Sequence, residues 1–176
     1  MSELSVGSLS GLAANSYVID VASGSSLDLS NGAVLPAGSI LQVVQGTDAT
    51  STNTTSTSYA DTGLSASITP SSATSKVLVL VTEQIRGASS SLTDFSGFIA
   101  LMKGATQLTE HEIRIKAAAS GGELVNSQVI NMCYLDSPAS TSALTYKTQS
   151  KTSNASATIA TDFAGTSTIT LMEVAA

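Results

Sequence analysis

The chain has 176 residues, enough for one full domain and a small additional segment. Charged residues make up 11% of it and aromatic residues 4%, while Ser, Thr, Ala and Gly dominate, which favours short β-strands joined by tight turns. The formal net charge is -6, and the seven Lys and Arg residues begin only at Lys76. We therefore expect neither nucleic acid nor an anionic membrane as a partner.

The first 38 residues predict a stem that needs other chains to become ordered. Short alternating apolar clusters are separated by turn-forming sequences such as Ser30-Asn31-Gly32, and Pro36-Ala37-Gly38 ends the pattern. Each predicted strand has about three residues, too few to be stable alone. We therefore predict a trimeric β-stem whose core contains Tyr17, Ile19, Val21, Leu27, Leu29 and Val34.

From residue 39 to residue 176 the pattern predicts a separate strand-rich domain. Ser39–Val44 is predicted as a strand, and the polar run 46–58 as either a mobile loop or a Thr-rich edge strand. Tyr59–Thr69 has the clearest alternation in the chain, with Leu64, Ala66 and Ile68 on one side. Lys76–Ile85 begins with residues that are apolar on both sides, which predicts a central strand covered on two faces, with residues 77–81 all buried.

The remaining sequence predicts a hairpin and three further strands. Phe98–Met102 leads through Lys103-Gly104-Ala105 into Gln107–Lys116. A helix over residues 105–119 is the competing interpretation, but the alternation of apolar and charged residues up to Lys116 favours a strand. With strands at 125–135, 144–150 and 167–174, the chain is predicted to be all-β, with seven or eight strands forming a β-sandwich or jelly roll.

Residues with catalytic or metal-binding chemistry are few. Glu110-His111-Glu112 is the one place where a metal or acid–base site can be imagined, but neighbours on a strand point to opposite faces, so a solvated surface is expected. Cys133 lies in an apolar stretch and is expected to be a buried, unreactive side chain. We predict no catalytic residue, no cofactor and no metal ion.

The N-terminus lacks the cationic region and the continuous apolar core of a signal peptide. No stretch approaches the roughly 20 apolar residues that a membrane span needs. We therefore expect the chain to be made in a cytoplasm and to reach its final location by assembly.

Several segments of the chain, in order, resemble the C-terminal domains of tail-fibre and related virion proteins of marine and cyanobacterial phages. The segments are GSILQVVQ, SYADTGLSASITPSSATSKVLVLV, LMKGAT, YLDSPASTSALTYKTQ and GTSTITLMEV, and they span about three-quarters of the chain. The resemblance implies a trimeric jelly-roll head, similar to complement-type and tumour-necrosis-factor-type heads, on a slender stem. It carries over no functional residues, because the shared positions are those of strands and turns.

Three functions remain open from the sequence. The first is a homotrimeric fibre or spike of a bacteriophage virion, attached to other virion proteins by residues 1–38 and able to touch a host-surface glycan or protein. The second is a capsid-decorating protein of the same architecture. The third, a carbohydrate-active enzyme on a β-sandwich, is disfavoured because such enzymes need converging carboxylates and aromatic sugar platforms.

Overall fold

The structure is a computed structural model, and it describes residues 36–92, 94–116, 124–162 and 165–176. The six residues predicted to form the stem core, Tyr17, Ile19, Val21, Leu27, Leu29 and Val34, lie outside the described residues. The trimeric stem therefore stays a prediction.

The described residues are organised into strands joined by turns and loops. They form β1 (Ile40–Asp48), β2 (Thr52–Thr54), β3 (Ala60–Ile68), β4 (Lys76–Ser89), β5 (Asp94–Lys103), β6 (Thr106–Lys116), β7 (Leu124–Asp136), β8 (Leu144–Thr152), β9 (Thr158–Thr161) and β10 (Ser167–Val174). Over this part of the chain there is no helix long and apolar enough to cross a membrane.

Two antiparallel sheets pack face to face. The first sheet has the order β1-β10-β4-β9-β2, with β7 along the other edge of β4, and the second has the order β3-β8-β5-β6. β4 is long enough to pair with β10 over its first half and with β9 over Ile85–Ala88. Strands distant in sequence thus become neighbours, and β1-β10-β4-β7 facing β3-β8-β5-β6 is the strand order of a jelly roll. The predicted all-β jelly-roll sandwich is confirmed.

The core lies between the two sheets because alternate residues of each strand point inward. Leu64, Ala66 and Ile68 of β3 are buried as predicted, and so are Ile113 and Ile115 of β6, whose charged neighbours are exposed. The helix considered over residues 105–119 is thereby replaced by a strand as far as Lys116. β5 and β6 are joined by two residues, and Gly104, with φ of 56°, takes the first position, where a type II′ turn requires glycine.

The structure corrects the predicted strands at three places. Within the polar run 46–58, Thr52–Thr54 forms an edge strand paired with β9, so the mobile-loop alternative is wrong there. β9 has no counterpart among the predicted strands, since four residues give almost no periodicity. β4 is covered on one face only: Val77, Val79 and Val81 are buried, but Leu80 on the other face is 36% exposed.

Candidate self-association surface

The outer face of the first sheet carries a row of apolar side chains that crosses four strands. Val43 of β1 pairs with Met172 of β10, which pairs with Leu78 of β4, which pairs with Leu135 of β7. Val43 is 57% exposed and Leu135 51% exposed, so the two ends of the row are open to water. An ordinary solvent-facing sheet would have polar residues at these positions.

Further apolar residues extend this row on both sides. Leu80 and Cys133 are paired directly beside it, while Leu41 of β1 and Val129 of β7 lie farther out. We call the apolar face the set Leu41, Val43, Leu78, Leu80, Val129, Cys133, Leu135 and Met172. Lys76 and Arg86 are the charged residues that the described strands place on this side of the first sheet. A contiguous apolar surface of this kind is typical of an interaction site.

The outer face of the second sheet has the opposite character. Lys147 forms an ion pair with Asp61 at 2.7 Å, and Arg114 forms one with Asp94 at 3.0 Å. The hydrogen bond from Lys147, helped by one from Gln149, holds the pKa of Asp61 below its usual range. Exposed ion pairs add little stability, but they keep a surface hydrated.

An aromatic and charged cluster completes this second face. The Lys151 ammonium lies 4.3 Å from the centre of the Tyr59 ring and 4.8 Å from that of Phe98, and 3.8 Å from the Glu110 carboxylate. Burial, followed by the hydrogen bond that Tyr59 donates to Glu110, raises the pKa of Tyr59. Lys151 thus interacts with two aromatic rings and a carboxylate of its own chain. This outer face is polar and charged, as expected of a surface exposed to solvent.

The predicted solvated role of Glu110-His111-Glu112 agrees with its position on β6, an edge strand of the second sheet. All three residues are exposed, Glu110 faces Tyr59 and Lys151, and Glu112 accepts a hydrogen bond of 2.6 Å from Ser96. Across the described ranges, no three His, Cys, Asp or Glu side chains are grouped in a way that could hold a metal ion.

The expectation that Cys133 is buried is wrong. In β7, Ile130, Met132 and Tyr134 point to the core, so Cys133 and Leu135 point to the outside. The stretch is apolar on both parities, and composition alone could not show which parity faces the core. Cys133 is part of the apolar face. The sequence signal for that face was that β4 and β7 have apolar residues at both odd and even positions, more than one buried side requires.

No protein-family model matches the chain, and no curated protein matches it in sequence. Among solved structures, the chain is similar to the crystal structure of an infectious bursal disease virus VP2 subviral particle, with 14% sequence identity and a TM-score of 0.32. The match covers 86% of this chain and 42% of the VP2 chain, so this chain corresponds to less than half of that protein. The jelly-roll assignment depends on the strand order above and not on this likeness.

Proposed function

We propose that the chain is a structural protein of a bacteriophage virion, where it forms a homotrimeric fibre or spike. The observation that carries the proposal is the contrast between the two outer faces of the head: one is apolar and nearly uncharged, and the other is covered by ion pairs. Covering the apolar face with another molecule removes apolar side chains from water and so stabilises the assembly, whereas covering the ion-paired face does not.

β4 explains why the covering molecule should be another copy. Its first residues, KVLVLV, are apolar on both parities, as in strands that are buried on two faces. In one chain the odd-numbered residues are buried and Leu80 is left exposed. A structural protein made in many copies meets its own kind at high concentration, so self-association is the simplest way to cover Leu78 and Leu80.

The energetic gain from covering this face is substantial. Complete burial of an aliphatic side chain contributes about 1.5–3 kcal/mol, and the half-exposed Val43, Val129 and Leu135 would each gain about half of that. Several such contributions are needed to offset the loss of translational and rotational freedom on association. The apolar face offers eight residues per chain for this purpose, and the predicted stem adds its own apolar core.

The sequence resemblance to phage tail-fibre and related virion domains supports the virion location and the trimer. In this proposal residues 1–38 bind other virion proteins, and the head faces outward, where it can meet a glycan or protein of the host surface. The role is structural and not catalytic.

The oligomeric state tests the proposal. Multi-angle light scattering on the purified chain at micromolar concentration should give about three times the mass of one chain. Leu135→Glu, which puts a charge on the apolar face, should shift the mass toward that of the monomer while far-UV circular dichroism stays unchanged.

The matched control is Thr145→Glu. Thr145 is also exposed on a strand, but it lies on the outer face of the second sheet, where it shares a hydrogen bond of 2.8 Å with Ser67. This variant should keep the mass of the trimer. A wild-type chain that is monodisperse and monomeric would overturn the proposal, and equal behaviour of the two variants would overturn the assignment of the interface to the apolar face.

A further inference from the structure

The interior of the sandwich contains a fully buried acidic side chain without a partner. Glu83 lies in the middle of β4, points between the sheets, and is 0% exposed. Neither of its carboxylate oxygens has a hydrogen-bond partner among the described residues. A buried ionised carboxylate in this condition costs several kcal/mol, so the group must acquire a partner or lose its charge.

A second buried carboxyl lies close to Glu83, in the connection between β9 and β10. Asp162 is 3% exposed; its Oδ1 accepts a hydrogen bond from Ser167, at the start of β10, while its Oδ2 has no partner within the described ranges. Its backbone N–H bonds to the carbonyl of Gln84, the residue next to Glu83. The two carboxyls therefore lie near each other, where β9 ends and β10 begins along the edge of β4.

The elements around Glu83 bring oxygen atoms and apolar groups but no cation. β7 contributes Ile130, which pairs with Glu83, and β1 contributes a further carboxylate, Asp48. β3 and β8 contribute the hydroxyls of Thr62 and Thr148, which are 2.6 Å apart and bond to each other.

All seven Lys and Arg residues of the chain are described, and each lies elsewhere. Four of them form ion pairs with other acids: Lys103, Arg114, Lys147 and Lys151. Lys76 and Arg86 project from the opposite face of β4, and Lys116 is exposed at the end of β6. The charge of Glu83 is thus not balanced by a basic side chain.

We propose that Glu83 and Asp162 form a buried proton-binding pair, which makes the head more stable in mild acid than at slightly alkaline pH. The proton supplies the missing hydrogen-bond donor and removes the charge from the core.

The electrostatics of the site point in the same direction. Burial raises the pKa of Glu83 to about 7. The hydroxyls of Thr148 and Thr62 are near enough to oppose this rise in part, although they bond to each other and neither meets hydrogen-bond geometry with the carboxylate. The negative charges of Asp162 and Asp48 add to the rise. Burial also raises the pKa of Asp162, and Asp48 again adds to the effect while Ser167 opposes it.

The pH dependence follows from the sign of these shifts. Because the folded protein holds the Glu83 proton more tightly than the unfolded chain does, folding takes up a proton in the window between the ordinary pKa of 4.5 and about 7. Stability from this group is fully present below that window, falls as the pH rises through it, and stays low above pH 7.

The other buried acids that the structure describes in full, Asp136 and Glu173, are not in this situation. Asp136 accepts hydrogen bonds of 2.7 Å from Lys103 and from Tyr146, and Glu173 accepts three from Gln42 and Ser71. Both carboxylates thus have donors aimed at them, so among the described residues a buried carboxylate with no donor on either oxygen is found at Glu83 and not at every buried acid.

Thermal unfolding of the full chain at pH 5.5 and pH 8.0 tests the proposal. The wild-type Tm should be lower at pH 8.0 by about 4–8 °C, given the shift of Glu83 and the size of the chain. Glu83→Gln keeps the shape of the side chain but cannot ionise, so it should raise the Tm at pH 8.0 and remove most of the difference. Asp162→Asn should remove a smaller part. Glu112→Gln, the same change at an exposed position, should behave as the wild type does.

Two further measurements distinguish a bound proton from a bound cation. The infrared spectrum of the folded wild type should contain a protonated-carboxyl band at pH 6 that is absent at pH 9, a result that does not depend on any variant folding. If that band is missing, or if Glu83→Gln keeps the wild-type pH dependence, the proposal is wrong. Millimolar Ca²⁺ at pH 8.0 should leave the Tm unchanged; a rise as large as that produced by acid would assign the site to a cation instead.

Discussion

Glu173, like Glu83, is a glutamate that is 0% exposed, but its pKa is shifted in the opposite direction. Its carboxylate accepts a hydrogen bond of 2.5 Å from Gln42 and two of 2.7 Å from the backbone and hydroxyl of Ser71. Burial alone would raise the pKa of Glu173, but these bonds together lower it to about 2. The donors aimed at the Glu173 carboxylate therefore outweigh the effect of burial on its pKa.

At the residue scale, we predict that Glu173 stabilises the head at neutral pH and loses this effect in acid. Its folded pKa is below the ordinary value of 4.5, so its contribution is present above pH 4.5 and is lost as the pH falls toward 2. Glu173→Gln replaces a charged acceptor by a neutral one and should cost about 1.5–3 kcal/mol at pH 6. Urea unfolding at pH 6 and pH 3 measures both effects.

The control for Glu173 is again Glu112→Gln, which should unfold at the wild-type urea concentration at both pH values. The prediction fails if Glu173→Gln is as stable as the wild type at pH 6. It also fails if the difference between the two proteins is as large at pH 3 as at pH 6, since at pH 3 the unfolded chain binds a proton at Glu173 and this should reduce the difference.

At the scale of elements, β4 is the strand on which the head depends. It pairs with β10 and β9 along one edge and with β7 along the other, and Val79 at its centre is 0% exposed between Leu171 and Tyr134. A strand that contacts three others cannot be lost without separating the sheet, so damage here should affect the whole head.

We therefore predict that Val79→Asp prevents folding or assembly, because an unpaired buried carboxylate costs several kcal/mol. Thr145→Asp, at an exposed strand position on the outer face of the second sheet, should fold normally. Circular dichroism and thermal melts of the two variants test this. A Val79→Asp protein with normal thermal stability would show that the assignment of β4 as a central strand is incorrect.

At the scale of the whole molecule, the two parts of the chain differ in charge and in apolar content. The first 38 residues carry Glu3, Asp20 and Asp28 as their only charged side chains, and their apolar clusters are sparse. The remaining residues contain all seven cations, and in the described part they have a core of their own. A segment with little internal core can become ordered only against a partner or against its own copies.

This difference predicts that the two parts have separate roles, with residues 1–38 attached to the virion and the head folded independently. Deleting residues 1–36 should leave a folded, β-rich head that no longer incorporates into particles, because the deleted segment is proposed to bind the rest of the virion. Circular dichroism of the truncated head and immunoblotting of purified particles would measure the two effects. Normal incorporation of the truncated head, or particles in which the N-terminus points outward, would reverse the proposed polarity.

The sequence by itself determined the strands with clear periodicity. Leu64, Ala66 and Ile68 alternate with polar residues, and that pattern fits one face of a sheet against a core and one against water. The hairpin at Gly104 could also be predicted, because a two-residue turn restricts the residues that it accepts. β9 could not be predicted, because Thr158–Thr161 is held by pairing with β4 and β2, which are distant in sequence.

The tertiary structure alone decided which apolar residues face the core and which buried acids are charged. Cys133 and Leu80 lie in runs that are apolar on both parities, so only the packing of the second sheet shows that they point outward. Glu83 and Glu173 are indistinguishable as letters in the sequence. Glu83 lies near hydroxyls that bond to each other, whereas Glu173 accepts hydrogen bonds from β1 and from the loop before β4. These neighbours come together only when the chain is folded.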